Sequence, residues 1–463
     1  MQYQKPVVQI TMLDNEDVIT TSQSDKRLVM KVKANWDYKP YNPFHIEQDR
    51  PEILAIRPSK EKISFEWAYA AFAECEVFYG ETGKDKNCKI CSKDTAFFAV
   101  ENDKEYEFYI RVGSKVSITR LARSGDFPGI VINYLHPNDN AYYFSGRFLA
   151  SPSIVRLPSG ALLVCMDVFS LKYPQNLSKV FKSVDDGKTW QYVTDLYPCF
   201  WGTLFVHQNK VYSIACSKEY GDLLLGCSED EGVTWSEPIV LGRGSSFGDI
   251  CGFHKAPVPV LDTGDKFAIA VEYGCWAKTF CQVVYSVDKT ADLMNVENWH
   301  TTGCVPRTHE AEQLPREGAC AIEGNLVQMP DGIVKNILRY GENQAMVLRI
   351  DDFDSAPVFE KMIEFPFAHT KFYIQKYDGV YYACGNLAPA RNVLALAKSV
   401  DGEHWEVYKD VLNYADMPPK EVGFQYPSFF IENGYAYILS RTGFNKADNF
   451  HNTNAITFHK VKL

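Results

Sequence analysis

Polar and aromatic side chains cluster at several points of the chain where loops are expected. Histidine, carboxylate and tryptophan side chains in such clusters can transfer protons, bind hydroxyl groups or stack on sugar rings. The clusters are His136–Asp139, Cys199–Gly202 with His207, Asp249 with His254 and Lys255, Glu272 with Tyr273, His369–Lys371, and the hydrogen-bonding tail Ser440–Asn454. We expect them to line one pocket, and we take His136 and Trp201 as candidate ligand-binding residues.

The cysteines do not predict a metal site. There are 13 of them, an odd number, and most lie in strand-like segments such as Leu162–Val168 and Tyr381–Gly385. This pattern indicates buried thiols in a reducing compartment. Cys88 and Cys91 have CxxC spacing, but no second CxxC and no histidine pair at zinc spacing completes a site. We therefore expect neither a metal nor a cofactor.

The charge and the hydrophobic pattern exclude two classes of partner. The net charge is −10 with no compensating basic block, so binding along nucleic-acid phosphates is not expected. No apolar run approaches membrane-spanning length, so we expect no membrane partner either. Residues Met1–Asp14 lack the basic and apolar regions of a secretory signal, which favours the cytoplasm. The oligomeric state stays open.

An internal repeat predicts how these side chains are positioned. Ser183–Trp190 and Ser228–Trp235 both fit S-x-D-x-G-x-x-W, and Ser399–Trp405 fits it with one residue missing. Ser286–Asp288 begins a degenerate fourth copy. The pattern is that of a hairpin turn in which Asp accepts backbone N–H groups, Gly supplies a positive φ and Trp packs beneath. It indicates a fold and not a catalytic group.

The spacing of the repeat predicts a propeller. Successive copies begin 45 and 58 residues apart, and the remaining interval holds about two more, as expected for four-stranded blades. We expect six blades, near 140–195, 196–240, 241–300, 301–360, 361–410 and 411–463. We also expect Pro128–Tyr134 to close the ring by pairing with the last blade, since a propeller must pair its terminal edges.

A small sandwich is predicted ahead of the propeller. Ile63–Trp67, Cys75–Tyr79 and Tyr106–Val112 alternate as strands do, and they resemble a fibronectin type III module with Trp67 as the buried Trp and Tyr106 as the corner Tyr. We expect it to fold independently and to contribute no catalytic group. The predicted domains are 46–122 for the sandwich and 126–463 for the propeller. Residues 1–45 stay unassigned, although Arg27–Lys33 is strand-like.

The repeated turns resemble those of the sialidase superfamily and related BNR or Asp-box proteins, over residues 140–463. Sialidases carry a Glu shortly before a strand, a turn and a second strand that ends in an Arg, and Glu323–Arg339 reproduces this pattern without a gap. The resemblance implies that Glu323 draws a proton from a nucleophilic Tyr and that Arg339 is one cation of a carboxylate clamp.

The same resemblance implies a second clamp residue and the nucleophile. Arg391 lies just before the strand that leads into a late Asp box, where the family has a clamp Arg. Tyr426 lies at the start of the last blade, ahead of a strand and a Gly turn, where the family has its nucleophile. A Tyr suits an anionic sugar, because a carboxylate nucleophile would be repelled.

Two parts of the family pattern are missing. Ala150 stands where the first clamp Arg is expected, and Arg147 or Arg156 could substitute for it. No Asp is obvious on the loop expected to supply the general acid, where Gln175 and Asn176 lie near the place. Asp167 is our candidate acid, although a strand-end Asp that caps a turn is an equal alternative.

These features predict a glycoside-active enzyme, a hydrolase that acts on an acidic or deoxy-sugar glycan and is not an ordinary sialidase. The loss of one clamp Arg favours a different sugar, such as a uronic acid. Two alternatives stay open, because a fold does not determine a function. One is a carbohydrate-binding propeller without catalysis, and the other is a propeller polysaccharide lyase.

Overall fold

The protein is an all-β structure, as the sequence predicts. The computed structural model describes residues 9–10, 19–20, 38, 41, 50–69, 74–92, 95–170, 173–244, 252–275, 279–303, 321–387 and 389–463. The strand-like piece Arg27–Lys33 lies outside these residues. No helix among the described residues is long and apolar enough to cross a membrane.

Small sheets form the N-terminal part. β1 (Gln9–Ile10) pairs with β2 (Ile19–Thr20). The eight strands that follow are β3 (Glu52–Ser59), β4 (Lys62–Ala68), β5 (Cys75–Glu81), β6 (Asn87–Cys91), β7 (Thr95–Ala99), β8 (Glu105–Val112), β9 (Lys115–Val116) and β10 (Arg120–Arg123). One sheet has the order β3-β4-β7 and the other β10-β8-β5-β6, with β9 paired to β8. Both sheets share one apolar core.

Two aromatic residues of this core have the environments expected from the sequence. Trp67 is buried, and the Tyr106 hydroxyl accepts the backbone N–H of Glu101 at 2.9 Å. A hydroxyl bonded back to the upstream chain is the arrangement of a tyrosine corner. It supports the fibronectin resemblance, which stays a prediction.

Six sheets follow in the described part of the chain, five with four strands and one with five, which confirms the predicted number of blades. The strand that precedes them is β11 (Ile130–Tyr134). The strands of blades 1 and 2 are β12 (Phe148–Arg156), β13 (Leu162–Phe169), β14 (Leu177–Ser183) and β15 (Gln191–Leu196), then β16 (Phe200–His207), β17 (Lys210–Cys216), β18 (Leu223–Ser228) and β19 (Ile239–Gly242). Blade 3 contains β20 (Gly252–His254), β21 (Leu261–Asp262), β22 (Lys266–Cys275), β23 (Thr279–Asp288), a 3₁₀ turn at Val296–Asn298, and β24 (Trp299–Thr301).

The remaining blades have the same plan. Blade 4 contains β25 (Ile322–Gln328), β26 (Val334–Arg339), β27 (Gln344–Ile350) and β28 (Val358–Glu364). Blade 5 contains β29 (Tyr373–Tyr377), β30 (Val380–Asn386), β31 (Val393–Ser399) and β32 (Glu406–Asn413). Blade 6 contains β33 (Gly423–Glu432), β34 (Tyr435–Gly443) and β35 (Ala455–Lys462). First strands of neighbouring blades contact one another in most of the ring, for example β12 with both β16 and β33, so they surround the axis.

The ring closes as the sequence predicts. β11 precedes the first blade in the chain but pairs antiparallel with β35 of the last blade, with Ile130 opposite Phe458. The fourth strand of blade 6 therefore comes from the segment that precedes blade 1 in the sequence. This pairing satisfies an edge that would otherwise be open.

The repeated turns share one hydrogen-bonding pattern. In the first, Asp185 accepts the backbone N–H of Thr189 at 2.8 Å, and Gly187 has a φ of 87°. The Trp190 indole N–H donates to the Gly187 carbonyl at 3.1 Å. The turn at Ser228–Trp235 repeats these bonds. Each turn thus joins two strands and buries an aromatic ring between blades.

Candidate active site

Four blades carry a β-bulge at one point of their first strand. In each, two residues lie opposite one residue of the second strand, and the first of the two has a positive φ. These residues are Ser151, Trp201, Glu323 and Tyr426, with φ of 47°, 58°, 57° and 50°. A non-glycine residue rarely adopts this conformation, and a bulge re-aims its side chain. The same kind of β-bulge therefore presents Glu323 and Tyr426 at equivalent positions of blades 4 and 6.

The second strands place charged residues beside these bulges. The residue before each bulge pairs with a residue near the end of the second strand: Ala150 with Asp167, Ile322 with Arg339, and Gln425 with Arg441. Asp167, Arg339 and Arg441 hence occupy equivalent positions of three blades. Because the blades repeat around one axis, all three charges lie at the same end of the propeller.

Tyr426 is surrounded by guanidinium groups. The Cζ atom of Arg441 lies 5.0 Å from the centre of its ring and that of Arg391 lies 5.6 Å away. Burial opposes ionisation of this hydroxyl, yet its pKa lies below the ordinary value because Arg391, Arg339 and Arg441 together outweigh the opposing Glu323 carboxylate. The surrounding cations thus make the proton of Tyr426 easier to remove, and the phenolate is the nucleophilic form.

Glu323 and Arg339 form an ion pair next to Tyr426. The carboxylate Oε2 and a guanidinium nitrogen are 3.0 Å apart, and the Glu323 side chain is almost fully buried. Burial opposes the charge of Arg339, but Glu323 and Tyr426 raise its pKa above the ordinary value. The neighbouring Gly324 N–H donates to Glu272 at 3.2 Å, and this contact fixes the backbone of the bulge.

Arg391 reaches the site from the loop between β30 and β31. One of its nitrogens donates to Gln425 Oε1 at 2.5 Å, and its Cζ lies 5.5 Å from the centre of the Phe450 ring. Gln425 is the residue before Tyr426. The structure therefore brings together Glu323, Arg339, Arg391 and Tyr426, the four residues selected by motif.

Arg441 is the cation that the sequence analysis did not select. It donates to the His451 carbonyl and to Thr453 Oγ1, and its Cζ lies 4.6 Å from the Phe169 ring centre. Burial lowers the pKa of Arg441 to about 10. Its pairing opposite Gln425 repeats that of Arg339 opposite Ile322, a signal visible only once the register is known.

The proposed substitutes for the missing clamp Arg lie elsewhere. Ala150 is buried against Phe169 and Phe200. Arg147 donates to the Pro137 carbonyl at 2.6 Å, and Arg156 pairs with Asp186 and Glu432 at the other end of β12. Neither contacts Tyr426, so Arg441 is the third cation of the cluster.

Asp167 occupies a different environment from the one expected of an acid. Its side chain is fully buried, its Oδ2 accepts the Trp201 N–H at 2.8 Å, and its Oδ1 accepts the Ser178 hydroxyl. Burial raises the pKa of Asp167 to about 7. A carboxyl enclosed in this way holds the bulge of blade 2, so we do not include it among the groups that touch a substrate.

The two candidate ligand-binding residues, His136 and Trp201, lie in different environments. His136 is buried, and its Nε2 lies 3.4 Å from Glu105 of β8, so it belongs to the contact between sandwich and propeller. Trp201 is partly exposed at the bulge of blade 2 and packs edge-on against His254 at 4.7 Å between ring centres. Trp201 therefore stays a candidate for stacking on a ligand. Asp249 lies outside the described residues.

Buried lysines brace two bulges. Lys255 Nζ donates to the Trp201 carbonyl at 2.6 Å and to Thr203 Oγ1 at 2.8 Å. Lys371 donates to the carbonyl of Pro427, next to Tyr426. Burial lowers the pKa of Lys255 to about 8 and that of Lys371 to about 7. Within the described residues, no group of three or more His, Cys, Asp or Glu side chains could hold a metal ion.

Comparison with known proteins supports the fold. No family model matches the chain, and no curated protein matches its sequence. A leech intramolecular trans-sialidase is 11% identical with a TM-score of 0.51, over 92% of this chain and 93% of that one. A Hadza microbial sialidase (13%, 0.49, 94% and 98%) and a Penicillium chrysogenum α-L-arabinanase (14%, 0.49, 73% and 98%) are also similar. At 11% identity, the likeness to the leech trans-sialidase shows the propeller fold alone.

Proposed function

We propose that the protein is a glycoside hydrolase for a glycan that carries an acidic sugar, with Tyr426 as the nucleophile. The observation that carries the proposal is the Tyr426 ring beside the guanidinium groups of Arg391 and Arg441, with the Glu323–Arg339 ion pair within electrostatic reach of its hydroxyl. A phenol among cations loses its proton more readily than one in water.

The charge of the cluster favours an anionic ligand. Arg339, Arg391 and Arg441 supply three positive charges, and Glu323 is the one carboxylate paired with them by a described salt bridge. The surplus positive charge is buried at Arg441 and partly buried at Arg339 and Arg391, so an incoming carboxylate would relieve it. Guanidinium groups bind carboxylates through paired hydrogen bonds, so we propose an acidic sugar, a uronic or a sialic acid. A sialic acid is included, against the expectation from Ala150, because Arg441 supplies a third cation.

The proposed reaction has two steps. Glu323 accepts the Tyr426 proton, and the phenolate oxygen bonds to the anomeric carbon while the bond to the leaving oxygen breaks. Water then attacks the same carbon, the bond to Tyr426 breaks, and the Tyr426 oxygen regains its proton from Glu323. The two displacements retain the anomeric configuration. A polysaccharide lyase would instead abstract a ring proton and yield an unsaturated sugar, so the product separates these two classes.

A panel of 4-nitrophenyl glycosides tests the proposal. The panel includes an α-sialoside, a β-glucuronide, an α-L-rhamnoside and an α-L-arabinofuranoside. We expect turnover of an acidic member, at about 1 to 10³ per second. Tyr426→Phe should lower kcat by at least about 10³-fold, because no other group replaces a covalent nucleophile.

The control is Tyr435→Phe, which changes a solvent-exposed Tyr at the start of β34 and should leave kcat unchanged. Turnover confined to a neutral glycoside would contradict the acidic sugar. Binding to a glycan array without any turnover would favour the alternative of a non-catalytic binding protein.

A further inference from the structure

The reaction needs a proton donor for the leaving oxygen, and most carboxyls near the bulges are already engaged. Asp167 is fully buried and bonded through both oxygens. Glu272 is also buried, and its two oxygens accept hydrogen bonds from Gly324 and face His254 at 3.2 Å. Glu323 pairs with Arg339 beside Tyr426. None of these three is placed to give a proton to a leaving group.

Glu219 lies at the correct end of the propeller. Its loop follows β17, whose last residue, Cys216, pairs with Phe200 just before the bulge of blade 2. This register is the one that places Arg339 and Arg441 beside their own bulges. The loop of Glu219 therefore begins at the level of the Tyr426 cluster.

The same loop extends toward Glu323. Tyr220, which has a φ of 58°, packs with Phe280 and Ile322 in one buried cluster. Ile322 is the residue before Glu323. Glu219 thus lies on a loop of blade 2 whose next residue contacts blades 3 and 4 beside Glu323.

The Glu219 carboxyl has the environment of a proton donor. It is only partly buried, and its Oε2 accepts a hydrogen bond from Gln175 Nε2 at 2.6 Å. Within the part of the chain that the structure describes, its other oxygen has no hydrogen-bond partner. Burial raises the pKa of Glu219 above its ordinary value, although His254 and Gln175 act in the opposite direction.

Gln175 adds an independent feature. It is buried with a φ of 56°, and its Oε1 has no hydrogen-bond partner among the described residues. A buried acceptor without a donor is costly, and a ligand hydroxyl would satisfy it. The pair of Gln175 and Glu219 therefore offers one acceptor and one acid on the same side of the site.

We propose that Glu219 is the general acid and base of the glycosidase reaction. The inference rests on the proposed function. The Glu219 carboxyl gives its proton to the leaving oxygen as the glycosidic bond breaks and the bond to Tyr426 forms. In the second step its carboxylate takes a proton from the attacking water, and the enzyme returns to its initial state.

The leaving group separates this role from a structural one. The sugar turned over in the glycoside panel is prepared as a 4-nitrophenyl glycoside, whose leaving group needs no proton, and as a benzyl glycoside, whose leaving group does. Glu219→Gln should lower kcat/KM, which reports the first step alone, by roughly 10²- to 10⁴-fold on the benzyl glycoside and by about tenfold or less on the 4-nitrophenyl glycoside. Glu219→Ala with added azide should regain turnover and yield the glycosyl azide.

Glu229→Gln is the matched control, since Glu229 is exposed and pairs with Lys210 on another surface. It should leave both rates unchanged. Equal losses on the two glycosides, or no loss on the benzyl glycoside, would overturn the assignment of Glu219 while leaving the role of Tyr426 intact. A wild-type protein that turns over no member of the panel would overturn both proposals.

Discussion

Lys371 is a buried amine beside the bulge that carries Tyr426. Lys371 is fully buried, donates to the carbonyl next to Tyr426, and lies within electrostatic reach of Glu323. Its low pKa means that the folded protein resists protonation of this amine. The charge of Lys371 is therefore linked to the free energy of unfolding.

Replacing Lys371 should change the pH dependence of stability. The pKa is about 7 in the folded chain and 10.5 as the ordinary value, so between these pH values the unfolded chain binds more protons. The wild-type free energy of unfolding should rise with pH across this window. Lys371→Met has no amine to titrate and so lacks this pH dependence. As the pH falls from 9 to 7, the free energy of unfolding of the variant should rise relative to that of wild type by on the order of a few kcal/mol.

Urea denaturation at pH 7, 8 and 9 measures the effect. Lys376→Met is the control, because Lys376 is an exposed lysine of β29, the strand that follows Lys371. The control should follow the wild-type profile. A constant difference between Lys371→Met and wild type at all three pH values would show that Lys371 keeps its ordinary pKa.

Sequence motifs identified only some residues of the candidate active site, and the reason is physical. Glu323, Arg339, Arg391 and Tyr426 stand in local patterns that can be recognised along the chain. Their roles stay predictions until activity is measured. Arg441 and Glu219 acquire their positions from strand register and from a loop that contacts other blades, and no short motif encodes either.

At the scale of elements, the hairpin turns lock neighbouring blades together. Gly187 of the first turn has a φ of 87°, and a Cβ atom added there would overlap the ring of Phe458 in β35. This one glycine therefore satisfies both the turn and the packing between blades 1 and 6. The regular spacing of such turns is why blade number and ring closure could be predicted from sequence.

Gly187→Ala should destabilise the protein through two effects. The positive φ costs about 1 to 2 kcal/mol for an L-residue, and the overlap with Phe458 adds roughly 1 to 3 kcal/mol. Gly160→Ala isolates the first effect, because Gly160 has a φ of 88° with open space around its Cα. The free energy of unfolding in urea measures both variants. Equal losses would mean that Phe458 moves aside without cost.

The β-bulges and the strand pairing of blade 3 are features of the elements that the sequence pattern did not predict. Glu323 and Tyr426 gain their orientation from a positive φ that hydrophobic periodicity does not encode. Blade 3 departs from the simple plan, since β20 and β21 both pair with β22. The degenerate copy of the repeat at Ser286 lies in this blade, but it does not indicate how β20 and β21 pair.

At the scale of the whole molecule, the sandwich and the propeller share a core. Phe127, Val131 and Ala455 pack in the same apolar cluster as Phe65 and Phe108 of the sandwich. Polar contacts follow the same boundary, and Asn445 of blade 6 donates to the Ser124 carbonyl at 2.8 Å. This continuity argues against the expectation of independent folding. The domain limits 46–122 and 126–463 stay predictions, because no comparison tests them.

One buried ion pair ties the two parts together. Arg120 of β10 lies 2.6 Å from Asp139, which follows the closing strand β11, and both side chains are buried. Arg120 also donates to the Ile53 carbonyl at 2.7 Å. Removing one partner leaves the other charge buried and unpaired, so Arg120→Leu should cost about 3 to 5 kcal/mol of unfolding free energy.

The matched control lies in the same sheet. Arg111 of β8 pairs with Glu76 at 2.7 Å, but both side chains are exposed, so Arg111→Leu should change stability little. Urea unfolding followed by tryptophan fluorescence and by far-ultraviolet circular dichroism should give coincident transitions for all variants, because a shared core unfolds as one unit. In Arg120→Leu both probes should shift together. A separate early transition in that variant, with the propeller signal unchanged, would mean that the sandwich unfolds alone and that the shared core does not couple the two parts.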